Sequence, residues 1–145
     1  MTNILLRTVI QNDLPIFFEQ QLDAEAVRMA AFPARDRGPF MVHWEQIMKD
    51  KAVVIRAIIF KGKVAGHILS WKQGYDQNVG YWLGREFWGR GIASAALAEF
   101  LKLVKTRPLY AHVADHNLAS RRVLEKCGFV NFTDDKGEII LKLNG

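Results

Sequence analysis

The sequence predicts a mixed α/β fold, a mostly antiparallel sheet of six to seven strands carrying about four helices. Three observations lead there. The middle of the chain holds three Val- and Ile-rich runs joined by short polar turns. The second half alternates helix-period and strand-period segments. Finally, 145 residues, 50% of them hydrophobic and 24% charged, are enough for one core and too apolar for a disordered chain. No repeat, low-complexity tract or long linker divides it, so residues 1–145 read as a single domain.

Residues 4–10 are apolar and predict a first strand. Asp13 precedes Leu14-Pro15 and reads as a helix N-cap, with proline tolerated in the first turn. A short helix through Phe17, Phe18 and Gln21 follows. Residues 31–40 hold two prolines, a glycine and the charges Arg35, Asp36 and Arg37, and read as a loop. Residues 42–49 read as a helix with Val42, Ile47 and Met48 as its apolar positions. Strands are predicted at 52–60, 64–71 and 79–83, antiparallel because their connections are short. Ala93, Leu97, Phe100, Leu101 and Val104 recur at helical spacing and predict a helix over 92–105. Residues 109–113 alternate as a strand, with Leu109, Ala111 and Val113 on one face and Tyr110 and His112 on the other. A helix over 118–127 is capped by Gly128, and strands at 129–132 and 138–143 close the chain.

The net charge is 20 − 15 = +5, which suits an anionic ligand and is too small to imply nucleic acid. One cysteine makes no internal disulfide, and no Cys/His cluster has metal-ligand spacing. The most apolar run is broken by Arg56 and is far shorter than the ~20 residues of a spanning helix. The first residues do not resemble a secretion signal, so a cytoplasmic protein without membrane attachment is expected.

The chemistry concentrates in Val79-Gly80-Tyr81-Trp82-Leu83-Gly84-Arg85-Glu86-Phe87-Trp88-Gly89-Arg90-Gly91-Ile92-Ala93-Ser94. A strand runs through a glycine-bearing turn into the long helix. Free N–H groups at a helix start bind anions, and glycines let a phosphate reach that backbone. Arg90 adds a positive charge, so a diphosphate is the natural guest. A nucleotide P-loop needs Gly-Lys-Ser/Thr, which is absent. A dinucleotide fingerprint needs a third glycine where Ser94 stands and an acid about 20 residues on, where there is none. Coenzyme A is a third reading, and a plain tight turn is the bland alternative.

A second segment, Asn117-Leu118-Ala119-Ser120-Arg121-Arg122-Val123-Leu124-Glu125-Lys126-Cys127-Gly128-Phe129, follows a strand directly. Together the two segments resemble the GNAT superfamily of N-acetyltransferases, in particular the branch of the ribosomal-protein alanine acetyltransferases. The shared features are Trp88-Gly89-Arg90-Gly91-Ile92-Ala93, the pair Asn117 and Ser120, and Lys126-Cys127-Gly128-Phe129. Two positions depart from the pattern. Glu86 stands where the phosphate loop commonly begins with Gln or Arg, and Leu124 stands where many members carry a tyrosine that reprotonates the thiolate.

The resemblance implies acetyl-CoA as co-substrate, no metal, and a fourth strand splayed from the fifth to admit the pantetheine arm. It implies that the backbone of Trp88, Gly89, Arg90, Gly91, Ile92, Ala93 and Ser94 holds the diphosphate. Amides near Trp82 and Leu83 would face the thioester, and Asn117 would reach the pantetheine arm, cap its helix, or do both. Ser120 becomes the candidate acid, or else a plain first-turn hydroxyl. His67 and His112, on strands beside the gap, are candidate bases, with His43, Glu45 and His116 behind them. Phe32, Arg35 and Arg37 either line the acceptor pocket or belong to a solvated loop. Cys127 reads as a small core residue.

The expected reaction is direct attack of a primary amine, from a small molecule or a protein N-terminus, on acetyl-CoA. A lysine amine, pKa ~10.4, loses roughly 4.6 kcal/mol to reach its neutral form at pH 7, whereas an α-amine loses only about 1–1.4 kcal/mol. An α-amine therefore needs the weaker base. The competing classes are a non-catalytic acyl-CoA sensor or partner-binding domain and, on charge alone, a nucleic-acid binder. A monomer or homodimer is expected.

Overall fold

The computed structural model describes residues 2–145. Seven strands form one sheet in the order β1-β2-β3-β4-β5-β7-β6. They are β1 (Leu5–Arg7), β2 (Val54–Phe60), β3 (Lys63–Gln73), β4 (Asp76–Leu83), β5 (Leu109–Ala114), β6 (Val130–Asp135) and β7 (Glu138–Leu143). The helices are α1 (Leu14–Gln21), α2 (Ala24–Ala30), α3 (Arg37–Lys49), α4 (Ile92–Leu103) and α5 (Leu118–Lys126). All neighbouring strands run antiparallel except β4 and β5, which are parallel. The strand count is at the top of the expected range, and there is one helix more than expected.

The sheet is covered on both faces. Residues alternate sides along a strand, so Ile58 and Ile68 enter one core while Ile55, Ala57 and Leu69 enter the other. The first core packs α4 and α5 through Leu97, Phe100 and Leu124. The second packs α1 and α3 through Leu14, Phe17, Phe40 and Trp44.

Four details of the N-terminal half differ from the sequence reading. The strand expected over 4–10 is only Leu5–Arg7. Asp13 closes a 3-10 turn, Gln11–Asp13, and makes no cap bond to α1. Its carboxylate turns back to the Ile10 N–H (2.9 Å) and both Arg7 guanidinium nitrogens (2.7 and 2.9 Å). Helix α2 was not foreseen; Asp23 starts it by accepting the Ala26 N–H at 2.9 Å, and Ala31 ends it in the left-handed conformation. Helix α3 begins at Arg37, five residues earlier than expected, so the loop shrinks to 31–36. Proline in a first turn lacks only an N–H that would be unpartnered anyway, which is why Gly38-Pro39 does not break it. Its buried residues are Phe40 and Trp44, whereas Val42 is 55% exposed.

The C-terminal half follows the prediction closely, except that β4 starts at Asp76, inside the expected polar turn and three residues before the expected strand start at 79. Leu109, Ala111 and Val113 are buried and His112 is exposed. Gly128 has φ 99°, with Phe129 N–H donating to Leu124 O (3.1 Å) and Gly128 N–H to Glu125 O (3.0 Å). This is the Schellman pattern.

Candidate active site

The ladder between β4 and β5 contains only two residue pairs, Gln77↔Leu109 and Asn78↔Tyr110. Both strands continue, to Leu83 and Ala114, with no further pairing between them. On its other side β4 stays paired with β3 through Leu83, and the Gly84 N–H extends that ladder to Ala65 O at 2.9 Å. The alternation of an antiparallel ladder then gives the Val79 amide to the last β5 rung and turns those of Tyr81 and Leu83 toward the missing partner. The sheet therefore holds a wedge lined on one side by free backbone donors.

The wedge opens toward the start of α4. Gly91 is the N-cap of that helix and makes no side-chain cap bond. The first helical bond is Ala95 N–H to Gly91 O, which leaves the N–H groups of Ile92, Ala93 and Ser94 without helical partners. Gly89 (φ 71°) and Gly91 (φ 76°) are both left-handed, and a Cβ on Gly89 would meet nothing within 4 Å. This bare cradle fits a diphosphate, and the adjoining unpaired strand edges fit an extended amide-bearing arm. Trp88 folds back so that its indole N–H donates to Leu83 O at 3.1 Å. Arg90 projects away, its guanidinium 5.9 Å from the Phe60 ring centre, so its backbone and not its side chain lies in the cradle.

At the far rim, Asn117 caps α5 by accepting the Ser120 N–H at 3.2 Å. The Ser120 hydroxyl lies 2.7 Å from the Tyr81 hydroxyl. Burial pushes the Tyr81 phenol up to about 12, against the opposing pull of its Ser120 bond. Tyr81 was not singled out from sequence; only its place on the strand that leads into the glycine loop marks it. Cys127 thiol is also pushed up by burial, and it approaches Ser94 O at 3.8 Å. An uncharged thiol so placed packs as a small apolar residue.

The two histidines differ sharply. His67 stands between Phe17 and Trp44, ring centres 4.9 and 4.7 Å away, and its Nδ1 is buried without a partner. Burial drives it down to about 3, so it stays neutral and is a feeble base. His112 lies on the exposed face of β5, two residues past the last β4–β5 pair, with Nδ1 2.7 Å from Glu138 Oε1. A carboxylate only accepts, so Nδ1 carries the hydrogen and the Nε2 lone pair is left free. His116 is engaged elsewhere: its Nε2 donates to Arg28 O at 2.7 Å and ties α2 to the turn after β5. Trp82 similarly ties β4 to α1 through Gln20 O (3.3 Å). His43 lies on α3, lowered by burial and by the charge of Arg35.

The loop carrying Phe32, Arg35 and Arg37 is pinned rather than free. Gln21 bonds both the N–H (2.7 Å) and the carbonyl (2.9 Å) of Arg35. The Arg35 guanidinium stacks 5.5 Å over Phe32, and Arg37, now the first residue of α3, stacks 5.5 Å over Phe18. Among the described residues no group of three or more His, Cys, Asp or Glu is placed to hold a metal, and no helix is long and apolar enough to cross a membrane.

The family model described as an acetyltransferase (GNAT) domain matches residues 3–130. The chain belongs to the GNAT acetyltransferase family. As a GNAT acetyltransferase it takes the acetyl group from acetyl-CoA. Solved structures share the fold at low identity. A GNAT-family acetyltransferase from Bacillus anthracis superposes with TM-score 0.82 at 18% identity, covering 99% of this chain and 96% of that one. Spermidine N-acetyltransferase from Vibrio cholerae, in complex with CoA and spermine, gives 0.79 at 15% over 96% and 92%. An aminoglycoside acetyltransferase in complex with coenzyme A gives 0.81 at 14% over 98% and 95%. No curated protein sequence matches the chain.

Proposed function

We propose that this GNAT domain, a single unit over residues 1–145, acetylates a primary amine by direct attack on acetyl-CoA in a ternary complex. The observation that carries the reading is the β4–β5 ladder that stops after Asn78↔Tyr110, on the strand that leads into the uncapped start of α4. The backbone from Trp88 to Ser94 takes the diphosphate, strengthened by the positive end of α4 by ~0.3–2 kcal/mol. The amides of Tyr81 and Leu83, beside Trp82, take the pantetheine arm and polarise the thioester carbonyl. One such donor contributes up to ~3–4 kcal/mol in other enzymes. Asn117 keeps its cap bond through Oδ1 and offers its Nδ2 to the arm.

Of the two histidines, His112 is the better base, because Glu138 fixes its tautomer and leaves Nε2 open. His67 lines the aromatic core instead. The pinned loop with Phe32, Arg35 and Arg37 flanks the acceptor. Its cations disfavour a polycationic acceptor and suit a peptide N-terminus, the acceptor class of the ribosomal-protein alanine acetyltransferases. An α-amine also asks the least of an imidazole base. We place the protein in the cytoplasm, as a monomer or homodimer.

Release of free thiol from acetyl-CoA across a panel of small amines and peptides tests this, with Gly91→Glu as the control that fills the cradle. Thiol release above background with wild type, lost in the variant, is the expected result; no release and no acetyl-CoA binding refute it. Buried Leu124, in the place of the usual tyrosine, favours one rival, an acyl-CoA sensor. Tight CoA binding without turnover on any amine would decide for that rival.

A further inference from the structure

We infer that Tyr81 is the proton donor to the departing CoA thiolate, with Ser120 as the residue that positions its hydroxyl. The inference rests on the acetyl-transfer reading above. When the new N–C bond forms and the C–S bond breaks, the sulfur leaves with the bonding electron pair. The amine proton goes to His112 Nε2, and a second proton must reach the sulfur. Helix α5 cannot supply it from position 124, where Leu124 is 2% exposed and locked under the Schellman turn.

The wedge has another phenol. Tyr81 lies within the part of β4 that has lost its β5 partner, and its hydroxyl reaches across to the first turn of α5. There it meets Ser120 at 2.7 Å. Ser120 is itself held, because Asn117 Oδ1 accepts its N–H. Two hydroxyls thus bracket the wedge on the face opposite His112: β4 and β5 residues alternate, and Tyr81 packs with the α4–α5 core whereas His112 does not. Base and acid then stand on opposite sides of the reacting carbon.

Of the two hydroxyls only the phenol has a titratable proton, at ~10 in a free side chain, whereas a serine hydroxyl does not titrate. The phenol's raised value keeps the proton on Tyr81 at neutral pH. Cys127, the other titratable group near the phenol, is held neutral by burial and does not compete as an anion. After donation the phenolate faces the positive end of α5 through Ser120, which favours the charge until water returns the proton.

The test uses the full chain with an acceptor on which wild type turns over. Tyr81→Phe is expected to lower kcat about 100-fold, the low end of general acid catalysis, while the Kd for CoA by calorimetry changes less than about twofold. Ser120→Ala is expected to lower kcat by about tenfold, and the double variant no further than Tyr81→Phe alone. Fluorotyrosine at 81 keeps the ring and the bond but acidifies the phenol, so the alkaline fall of kcat moves to lower pH. A structural tyrosine would not move that limb. Tyr81→Phe with kcat within twofold of wild type, or an unmoved limb in the fluorotyrosine protein, overturns the assignment while leaving acetyl transfer intact. A wild-type chain that turns over no amine overturns both.

Discussion

Gly89 and Gly91 sit two residues apart with nearly the same backbone, φ 71° and 76°, but in different surroundings. A Cβ on Gly89 meets open space, whereas one on Gly91 would lie 2.9 Å from Thr2 Oγ1. That hydroxyl donates to Arg90 O at 2.9 Å, so it cannot turn away without giving up a bond. Left-handed geometry costs an alanine ~1–2 kcal/mol, and stiffening the unfolded chain returns ~0.4–1 kcal/mol. Gly89→Ala should therefore lose about 0.5–1 kcal/mol. Gly91→Ala should lose about 1 kcal/mol more, the exposed Thr2 bond being worth ~0.5–1 kcal/mol. For a chain of this size that is a difference in Tm of ~2–4 °C. Urea unfolding and thermal melts of both variants, each repeated in a Thr2→Ala background, measure it. Thr2→Ala should erase the difference between the two alanine variants without rescuing either completely. Equal losses with Thr2 intact, or no effect of Thr2→Ala on the difference, would refute this account of the cradle.

His67 is held neutral down to about 3, against an ordinary 6.5, so the unfolded chain takes up the proton first. Stability should be level above about pH 6.5 and fall as pH drops toward 3, by up to ~1.4 kcal/mol per unit. His67→Gln should flatten that fall in urea titrations between pH 7 and 4, and an unchanged slope would contradict the buried assignment. Burial alone would raise Asp13, but Arg7 and the Ile10 N–H outweigh it and hold the carboxylate below its ordinary 3.8. Its contribution is therefore complete above about pH 4 and lost as pH falls through the lowered value. Asp13→Asn should cost about 3 kcal/mol at pH 7, and a loss under 1 kcal/mol in urea unfolding would show the pair to be dispensable.

Elements with a strong period were readable from sequence. Helix α4 repeats its apolar residues over three turns, and β5 alternates so cleanly that Leu109, Ala111 and Val113 are all buried. The turn at Gly128 was visible because Leu124 and Phe129 flank it at Schellman spacing. Short or punctuated elements were not. Helix α2 has seven residues and one buried side chain, too little for a periodic signal. Gly38-Pro39 resembles a break because local composition does not reveal that the helix has only just begun. Long-range pairings were invisible for a different reason. The Tyr81–Ser120 bond spans 39 positions, and the box of Phe17 and Trp44 around His67 joins three separate elements. Only the assembled sheet fixes which hydroxyl meets which.

The two rungs at Gln77↔Leu109 and Asn78↔Tyr110 also make the sheet a hinge-like seam. Strands β1 to β4 form one ribbon and β5, β7 and β6 another, stitched along little more than one turn of pleat and clamped from behind by α4 and α5. Whatever threads the gap behaves as a removable eighth strand, fastening two half-sheets that the polypeptide leaves nearly separate. On the proposed binding mode, amide exchange along β5 and β7 should then slow on coenzyme binding, because the inserted arm would complete the fabric.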